Sequence, residues 1–598
     1  MKNLRKNIIA LACTALSLCG LASSCNKYDT PVSVAGGDER TDTTLITKAV
    51  RCVLWVNIDG AVGSLVKQEA EQGNLPTLQG MLEHSKYAWT GLSDSRSKTD
   101  GSTEMTEEDP LTWASMLTGV SSNLHFIKDY SYSPDFEIGD DPVGQVVSYF
   151  PTLVQYLTKA DASLSISCVT PWRNLNRYVG DATSTTTTAT DEETQEELLK
   201  QLQENDYRFM LTSFRGVLDA GKKDGFSLNN AGYDSALKTV DGYLKDLLAA
   251  IEARPDAYNE DWLVLVTSNH GGTPDGHCGG ASDAERDIFG LFYYPHYTTF
   301  QMKGELMDAA RFSSTEWALA ADSTALYGIG PQRNFSFEMN IRMTPRSDGS
   351  YTGKNWSCLV GKDEWGMFRQ RTGVSIRATN EDAGTDVEGK ITACNDAVWH
   401  SFYMGLGTSD GSTRKYLMSY DGMRQKYEDT ECMGTSDDST SVVVGKGSIW
   451  GNDLIPNSYY VASLRLWNEI LDDATVESNA SLLSISEGHK YRRNLIGEWR
   501  FSPDELVNDT VIPNRIKGMP DMIFNGKPTF VKQANTLPAQ LKSGNLVMEN
   551  TLIAPQIMYW LCGKSSIDSR LEGYNFLSAY SLEEQWRDYE EGTETNKP

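Results

Sequence analysis

Polar side chains able to bind metal ions follow an apolar run near the middle of the chain. The stretch WLVLVTSNHGGTPDGHCGG places Asn269, His270 and His277 among glycines. Imidazole nitrogens, carboxylates and carbonyl oxygens are ligands for divalent cations. A second apolar run, CVLWVNID, ends on a carboxylate at Asp59. These residue types indicate a candidate metal site built where strands end.

The elements that must position these residues are those of an α/β domain. CVLWVNID, SLSISCVT, YRFMLTSF and WLVLVTS are nearly continuous apolar runs, typical of strands buried on both faces. Helical periodicity separates them, most clearly over residues 233–254, where apolar residues recur three and four positions apart. Alternating strands and helices predict a mostly parallel sheet, which binds ligands beyond the carboxyl ends of its strands.

The pattern changes over residues 311–535. Segments such as NFSFEMNIRM and YVASLRLWN alternate apolar and polar residues, which predicts an antiparallel sandwich with solvated outer faces. The segment TLIAPQIMYWLCG then predicts a buried helix, and its pattern is similar to that of the first part of the chain. We therefore predict an α/β/α core formed by residues 50–310 and 540–590, interrupted by an antiparallel β-sandwich.

The N-terminus predicts a secretory signal over residues 1–24. Basic residues precede a short apolar stretch, and small residues precede Cys25. The Ala-Ser-Ser-Cys ending is similar to a bacterial lipobox, in which the cysteine is lipidated and becomes the mature N-terminus. The expectation is a lipoprotein anchored to the outer membrane at the cell surface, with residues 25–49 as a tether. An ordinary cleaved signal is the alternative.

Composition limits the partners that this chain can bind. Its 598 residues are 39% hydrophobic and 23% charged, as in globular proteins, and the formal net charge is -27. An acidic surface repels phosphate backbones, which argues against nucleic-acid partners. The seven cysteines after Cys25 form no CxxC pair, which excludes a zinc ribbon and argues against a disulfide framework.

Five segments in order resemble the alkaline phosphatase superfamily, in its type I phosphodiesterase/nucleotide pyrophosphatase branch. They are VLWVNIDGAVGSLVKQEAEQGNLPTLQGML, LTWASMLTGVSSNLHFIKD, GKKDGF, TSNHGGTPDGHCGG and APQIMYWL. The resemblance covers residues 51–295 and the tail from about 550, and it implies an alkaline-phosphatase-like α/β/α core. The middle domain resembles a laminin-G/concanavalin-like sandwich, and GEWRF is its most typical segment. This match is less specific.

The resemblance implies a reaction in which two divalent cations activate a Thr or Ser nucleophile. Asp59 matches the first aspartate ligand, His270 the histidine of a DHGG motif, and His277 the late histidine. Asn269 stands where the family has an aspartate. The nucleophile position falls near Asp109, which lacks the required hydroxyl.

The second metal position is matched poorly. Leu218 replaces an aspartate and Lys222 a histidine of the family's DxxGH motif, and Asp219 could supply the carboxylate only with a one-residue slip in the alignment. An ammonium group repels a dication, and a leucine side chain has no lone pair to offer to a metal ion. We expect at most one divalent cation (Zn, Mg or Ca) near Asp59 and His270. An ion pair of Lys222 with Asp59 or Asp109 is expected in place of the missing metal charge.

Two functions follow from these observations. The first is a cell-surface lipoprotein with a catalytically degenerate phosphodiesterase-like scaffold, acting as a binding or accessory component in glycan or peptide capture, alone or in an outer-membrane uptake complex. The alternative is an active phosphodiesterase or nucleotide pyrophosphatase with two zinc ions. A sulfatase or phosphoglycerol transferase relative is a third reading, and the Cys/Ser-x-Pro-x-Arg motif that marks sulfatases is absent. The count of metal ligands favours the first function.

Overall fold

The computed structural model describes most of the chain after residue 48. The described ranges are 49–94, 110–127, 129–133, 150–313, 315–343, 356–370, 373–380, 383–392, 394, 398–435, 438–446, 459–563 and 571–585. Two residues singled out from the sequence, Cys25 and Asp109, lie outside these ranges.

An eight-stranded sheet forms the centre of the first part of the chain. The strands of this part are β1 Val50–Ile58, β2 Ser85–Ala88, β3 Gly91–Leu92, β4 Ile166–Thr170, β5 Ser184–Thr187, β6 Phe209–Phe214, β7 Glu260–Thr267, β8 Gly290–Tyr293 and β9 Phe300–Met302. The sheet order is β5-β4-β6-β1-β7-β8-β2-β9. Strands β5, β4, β6, β1 and β7 run parallel, and β8 is antiparallel to both of its neighbours. The carboxyl ends of β6, β1 and β7 therefore lie side by side.

Helices cover both faces of this sheet. They are Gly63–Glu71, Pro76–Met81, Pro110–Thr118, Ser122–His125, Leu153–Ala160, Arg173–Tyr178, Asp191–Glu204, Gly216–Asp224, Ala231–Glu252, Asp283–Arg286 and Ile553–Cys562. Successive residues of β1 point to opposite faces, as a strand requires. Val53 and Trp55 join one hydrophobic core and Leu54 and Val56 the other. The predicted α/β/α core is confirmed.

The middle of the chain folds as two stacked antiparallel sheets. The strands are β10 Leu306–Phe312, β11 Ala318–Ala320, β12 Phe335–Met343, β13 Ser357–Gly361, β14 Trp365–Gln370, β15 Gly373–Asn380, β16 Thr385–Thr392, β17 Trp399–Leu406, β18 Arg414–Tyr420, β19 Met423–Thr430, β20 Val442–Val444, β21 Tyr459–Trp467, β22 Leu495–Arg500, β23 Val511–Ile512, β24 Met522–Phe524 and β25 Phe530–Ala534. One sheet has the order β19-β18-β17-β12-β21-β10-β25, with β22 beside β21, and the other β16-β15-β14-β13-β20-β11-β24-β23. Their facing side chains form one core, and the predicted antiparallel sandwich is confirmed.

The expectation of solvated outer faces is wrong for the central strands of the first of these sheets, although its edge strand β19 is largely exposed. Strand β17 is buried along its whole length, although its sequence includes His400 and Ser401. The helices Asp473–Asn479 and Pro538–Ser543 and their flanking loops cover this face. Apolar side chains such as Trp467 thereby gain a second, smaller core outside the sandwich.

The chain returns to the first sheet after the sandwich. Strand β26, Met548–Glu549, pairs in parallel with β3. The helix Ile553–Cys562 packs against β1, and Trp560 Nε1 donates a hydrogen bond to the carbonyl oxygen of Cys52 at 2.9 Å. The first described strand and a helix near the end of the described chain therefore pack together in the core that surrounds the sheet.

Candidate functional site

The register of three parallel strands places three polar residues at one level. Asn57 on β1 pairs with Ser213 on β6 and with Thr267 on β7. Two residues further along the chain, just beyond the end of each strand, lie Asp59, Arg215 and Asn269. Asp59 and Asn269 are almost fully buried. This is the edge at which the sequence predicted ligand binding.

The amide of Asn269 has a definite orientation in this group. Its Nδ2 donates to Asp59 Oδ1 at 2.8 Å. Its Oδ1 accepts from Asn57 Nδ2 at 3.3 Å and from the Gly60 backbone N–H at 3.4 Å. A backbone N–H can only donate, so the oxygen must be the atom that faces Gly60. Asn269 therefore points its carbonyl oxygen away from Asp59 and offers a donor where a metal ligand would be needed.

His270 contacts the same carboxylate. Its Nδ1 lies 2.7 Å from the carbonyl oxygen of Gly271, and because a carbonyl only accepts, Nδ1 carries a proton. Its Nε2 lies 3.3 Å from Asp59 Oδ1. Lone pairs on both atoms would repel, so this contact is favourable only with a second proton on the ring or with a cation between the two groups.

Arg215 is a site residue that the sequence analysis missed. Its Nη1 lies 3.7 Å from Asp59 Oδ2, and its guanidinium lies over the ring of Trp172 at 5.2 Å. The only signal was its position directly after a third buried strand, in YRFMLTSFR. The ion pair expected from the sequence was one of Lys222 with Asp59 or Asp109. Lys222 lies half-exposed on the helix Gly216–Asp224 and is not among the partners of Asp59, and Asp109 lies outside the described residues.

The surroundings of Asp59 stabilise its charged form. Burial is the largest single influence and raises the pKa, but His270, Arg215 and Asn269 together outweigh it, so the pKa lies below its ordinary value. Asp59 is therefore an ionised carboxylate with a hydrogen-bond donor on Oδ1 and a guanidinium 3.7 Å from Oδ2.

Two of the remaining predicted positions, Leu218 and His277, are not joined to this group. Leu218 is buried and packs against the turn at Gly60, where an added Cβ would meet the Leu218 Cα at 2.9 Å. His277 is 79% exposed, and its Nε2 lies 3.7 Å from Asp275 Oδ2. Asp109 is outside the described residues. The structure thus brings together Asp59, Asn269 and His270, whereas His277 lies on an exposed loop.

A serine–histidine contact nearby does not have the geometry of an activated nucleophile. His125 Nε2 lies 3.0 Å from Ser115 Oγ, and Ser115 also donates to Asp94 at 2.6 Å. The Ile127 backbone N–H donates to His125 Nδ1, so the ring proton of a neutral imidazole lies on Nε2. The histidine is then a donor to Ser115 and not its base, and this buried cluster positions the loop at Asp94.

Among the described residues, the donor set around Asp59 fits an internal network better than a divalent cation. Within the described ranges, no three His, Cys, Asp or Glu side chains come together as a metal site. Arg215 supplies a fixed positive charge, and at an effective dielectric of about 20 it would repel a dication about 4 Å away by on the order of 8 kcal/mol. The single cation expected from the sequence therefore stays a prediction, and no chemical step is assigned to it.

Comparisons with known proteins give only weak likenesses. No protein-family model and no curated protein sequence matches the chain. One similar solved structure is the binding domain of Paraclostridial mosquitocidal protein 1, with 12% identity over 28% of this chain and 42% of that chain and a TM-score of 0.23. Another is a 2-O GAG sulfatase, with 10% identity over 42% of this chain and 65% of that chain and a TM-score of 0.31. A third is murine ectonucleotide pyrophosphatase/phosphodiesterase 5, with 14% identity over 37% of this chain and 58% of that chain and a TM-score of 0.28.

The chain spans less than two thirds of the length of each of these three proteins. Likeness at such TM-scores identifies neither a family nor an activity. The relation to the alkaline phosphatase superfamily therefore remains a resemblance carried by the five sequence segments.

Proposed function

We propose that this chain is a surface lipoprotein that binds a ligand, a glycan or a peptide, on a phosphodiesterase-like scaffold that has lost two-metal catalysis. One observation carries the proposal: Asn269 and Arg215 direct hydrogen-bond donors and positive charge at Asp59. Two dications need several anionic ligands to offset their desolvation and mutual repulsion. Among the described residues, Asp59 is the carboxylate that Arg215, Asn269 and His270 contact, whereas the nearby carboxylate of Asp191 accepts from the backbone N–H groups of Arg215 and Gly216.

An active metal-dependent phosphodiesterase is the second candidate. It is favoured by the contact between Asp59 and His270, whose geometry is compatible with a cation between the two groups. Metal content and turnover separate the two candidates, because the first requires neither.

We expect the purified protein to hold at most one divalent ion and to show no hydrolysis of bis(p-nitrophenyl) phosphate above the buffer blank. Asn269→Asp alone is expected to leave turnover at the blank, because Arg215 still neutralises Asp59 and Leu218 and Lys222 still occupy the second position. Elemental analysis together with release of p-nitrophenolate checks this. Adding Lys222→His and Leu218→Asp should raise metal occupancy before any turnover appears. Two ions per chain with efficient hydrolysis by the unmodified protein would refute the binding role.

We expect acylation and membrane association to depend on Cys25. Cys25→Ala removes the thiol that the predicted lipobox would modify, so the variant should lose its acyl groups and move from the membrane to the soluble fraction. Mass spectrometry of the N-terminal peptide and fractionation check this, with Cys52→Ala, in the buried strand β1, as the matched control. None of the helices in the described part of the chain has the length and apolar character needed to cross a bilayer. If the Cys25→Ala protein kept its acyl groups and stayed with membranes, the lipobox interpretation would be wrong.

A further inference from the structure

A buried lysine lies against a buried aspartate at one end of a sandwich sheet. Lys362 Nζ donates to Asp322 Oδ2 at 2.6 Å, and neither side chain is exposed to solvent. Asp322 follows strand β11 and Lys362 follows strand β13, and both of these strands pair antiparallel with β20. The register of the sheet therefore brings together an amine and a carboxyl group that are 40 residues apart in the chain.

A second carboxyl group faces the same ammonium. Asp438 Oδ2 lies 3.7 Å from Lys362 Nζ, its side chain is 4% exposed, and this oxygen has no hydrogen-bond partner among the described residues. Glu364 is also close, but both of its oxygens accept from the Thr435 backbone N–H at 2.8 Å. Asp438 is therefore the carboxyl group placed to take up a proton from the pair and to return it.

The carboxyl group of Asp322 is held by two backbone donors. The Leu326 N–H donates to Oδ1 at 2.7 Å, and the Tyr327 N–H donates to Oδ2 at 2.9 Å. Fixed donors aimed at an oxygen that gains negative charge lower the barrier to attack on a carboxyl carbon. Groups held in contact in this way react as if at an effective concentration of about 10⁵ M or more. The site thus combines a nucleophile, a polarised carboxyl group and a proton carrier.

We propose that Lys362 and Asp322 condense to an amide, a covalent tie between the ends of β11 and β13. The ammonium first passes one proton to Asp322 Oδ2 across their hydrogen bond, which leaves a neutral amine and a neutral carboxylic acid. The amine nitrogen then forms a bond to Cγ, and negative charge gathers on Oδ1, which faces the Leu326 N–H. Asp438 takes a second proton from the nitrogen and delivers it to Oδ2. The Cγ–Oδ2 bond breaks, one water molecule leaves, and the nitrogen keeps one hydrogen.

Burial favours the amide over the ion pair. Two buried charges lose their hydration, whereas an amide is neutral and needs only its hydrogen bonds. The remaining N–H can still donate to the Asp438 carbonyl oxygen, which Lys362 Nζ contacts at 2.9 Å. The tie closes a loop of the chain and restricts the unfolded state, as a disulfide does. Replacing Lys362 removes the tie as well as the charge, so charge pairing alone sets a lower limit to the loss of stability. The amide does not depend on the binding role proposed above.

The test is mass spectrometry of the full mature protein after denaturation and digestion with trypsin. A pair of peptides joined through Asp322 and Lys362 is expected, lighter by one water molecule than the sum of its parts, and trypsin should not cut after Lys362. Lys238 and Asp234 are also 2.6 Å apart, but their side chains are 42% and 26% exposed. This second pair is the matched control and should stay uncoupled in the same digest.

Two variants test the roles of the groups. Lys362→Arg keeps a cation, but a guanidinium is not deprotonated in proteins and cannot act as the nucleophile, so the joined peptides should be absent. Asp438→Asn keeps the size of the side chain but removes the proton carrier, and it should lower the fraction of joined chains at least about tenfold.

Three outcomes would overturn these assignments. Separate peptides of full mass at Asp322 and Lys362 in the parent, with none joined, would refute the amide, and this result does not require any variant to fold. Equal coupling in Asp438→Asn and the parent would refute the role of Asp438. Coupling of Lys238 to Asp234 in the same digest would show that the bond forms during handling and not in the buried site.

Discussion

Arg215→Ala is expected to destabilise the α/β part by about 3 kcal/mol, the lower end of the range for breaking a buried ion pair. The variant leaves the ionised Asp59 buried without its nearest fixed positive charge, and Trp172 loses the guanidinium that covers its ring. Asn269 still donates to the carboxylate and His270 still contacts it, which keeps the loss from being larger. Thermal unfolding followed by calorimetry checks this, because a two-domain chain is expected to show separate transitions.

The same variant, Arg215→Ala, tests whether the guanidinium of Arg215 supplies the positive charge that a bound metal ion would otherwise supply to Asp59. Zn²⁺ or Mn²⁺ should raise the unfolding temperature of Arg215→Ala more than that of the parent, since binding to the folded state adds stability by mass action. Arg215→Lys keeps the positive charge and should retain most of the stability and respond to metal as the parent does. Equal metal responses in Arg215→Ala and the parent would contradict this account of the site.

Lys362→Met is expected to destabilise the sandwich by about 3–5 kcal/mol. The Lys362 ammonium is fully buried and donates to Asp322 Oδ2 at 2.6 Å and to the Asp438 carbonyl oxygen at 2.9 Å. Its Nζ also lies 3.7 Å from Asp438 Oδ2, an atom with no hydrogen-bond partner in the described chain. Methionine keeps a side chain of similar length but leaves two buried carboxyl groups without their cation. The loss corresponds to a drop of several degrees in the unfolding temperature of this domain.

The double variant Lys362→Met/Asp322→Asn separates loss of charge pairing from loss of packing. Removing both charges should recover part of the stability, because an asparagine oxygen can still accept from the backbone of Leu326 or Tyr327. Arg215→Ala and Lys362→Met also serve as controls for each other, since each should shift only the transition of its own domain. A double variant as unstable as Lys362→Met alone would argue that packing, and not charge, sets the loss.

Part of the candidate site could be predicted because its residues directly follow strands that can be recognised by their apolar sequences. Asp59 and His270 follow buried runs, and parallel strands bring their carboxyl ends to one edge, so their proximity follows from pattern alone. Arg215 also follows such a run, but its place beside Asp59 depends on β6 being the neighbour of β1. Strand order is a property of the whole sheet and leaves no local signal in YRFMLTSFR.

The position of His277 shows the limit of transferring a motif along a loop. The spacing NHGGTPDGH matched a family pattern, yet the turn closed by Thr273 and His277 leaves the imidazole exposed beside Asp275. Spacing in a glycine-rich loop does not determine where a side chain points, because glycine allows many backbone paths.

The sequence by itself determined the class of the two domains and the edge at which polar groups gather. Hydrophobic periodicity reports burial, and burial is what distinguishes parallel strands from those of a sandwich. Only the tertiary structure decided which charge compensates Asp59, which way the Asn269 amide points, and that helices cover one outer face of the sandwich. The first two features depend on contacts between residues 156 and 210 positions apart, which strand register creates and local sequence does not encode.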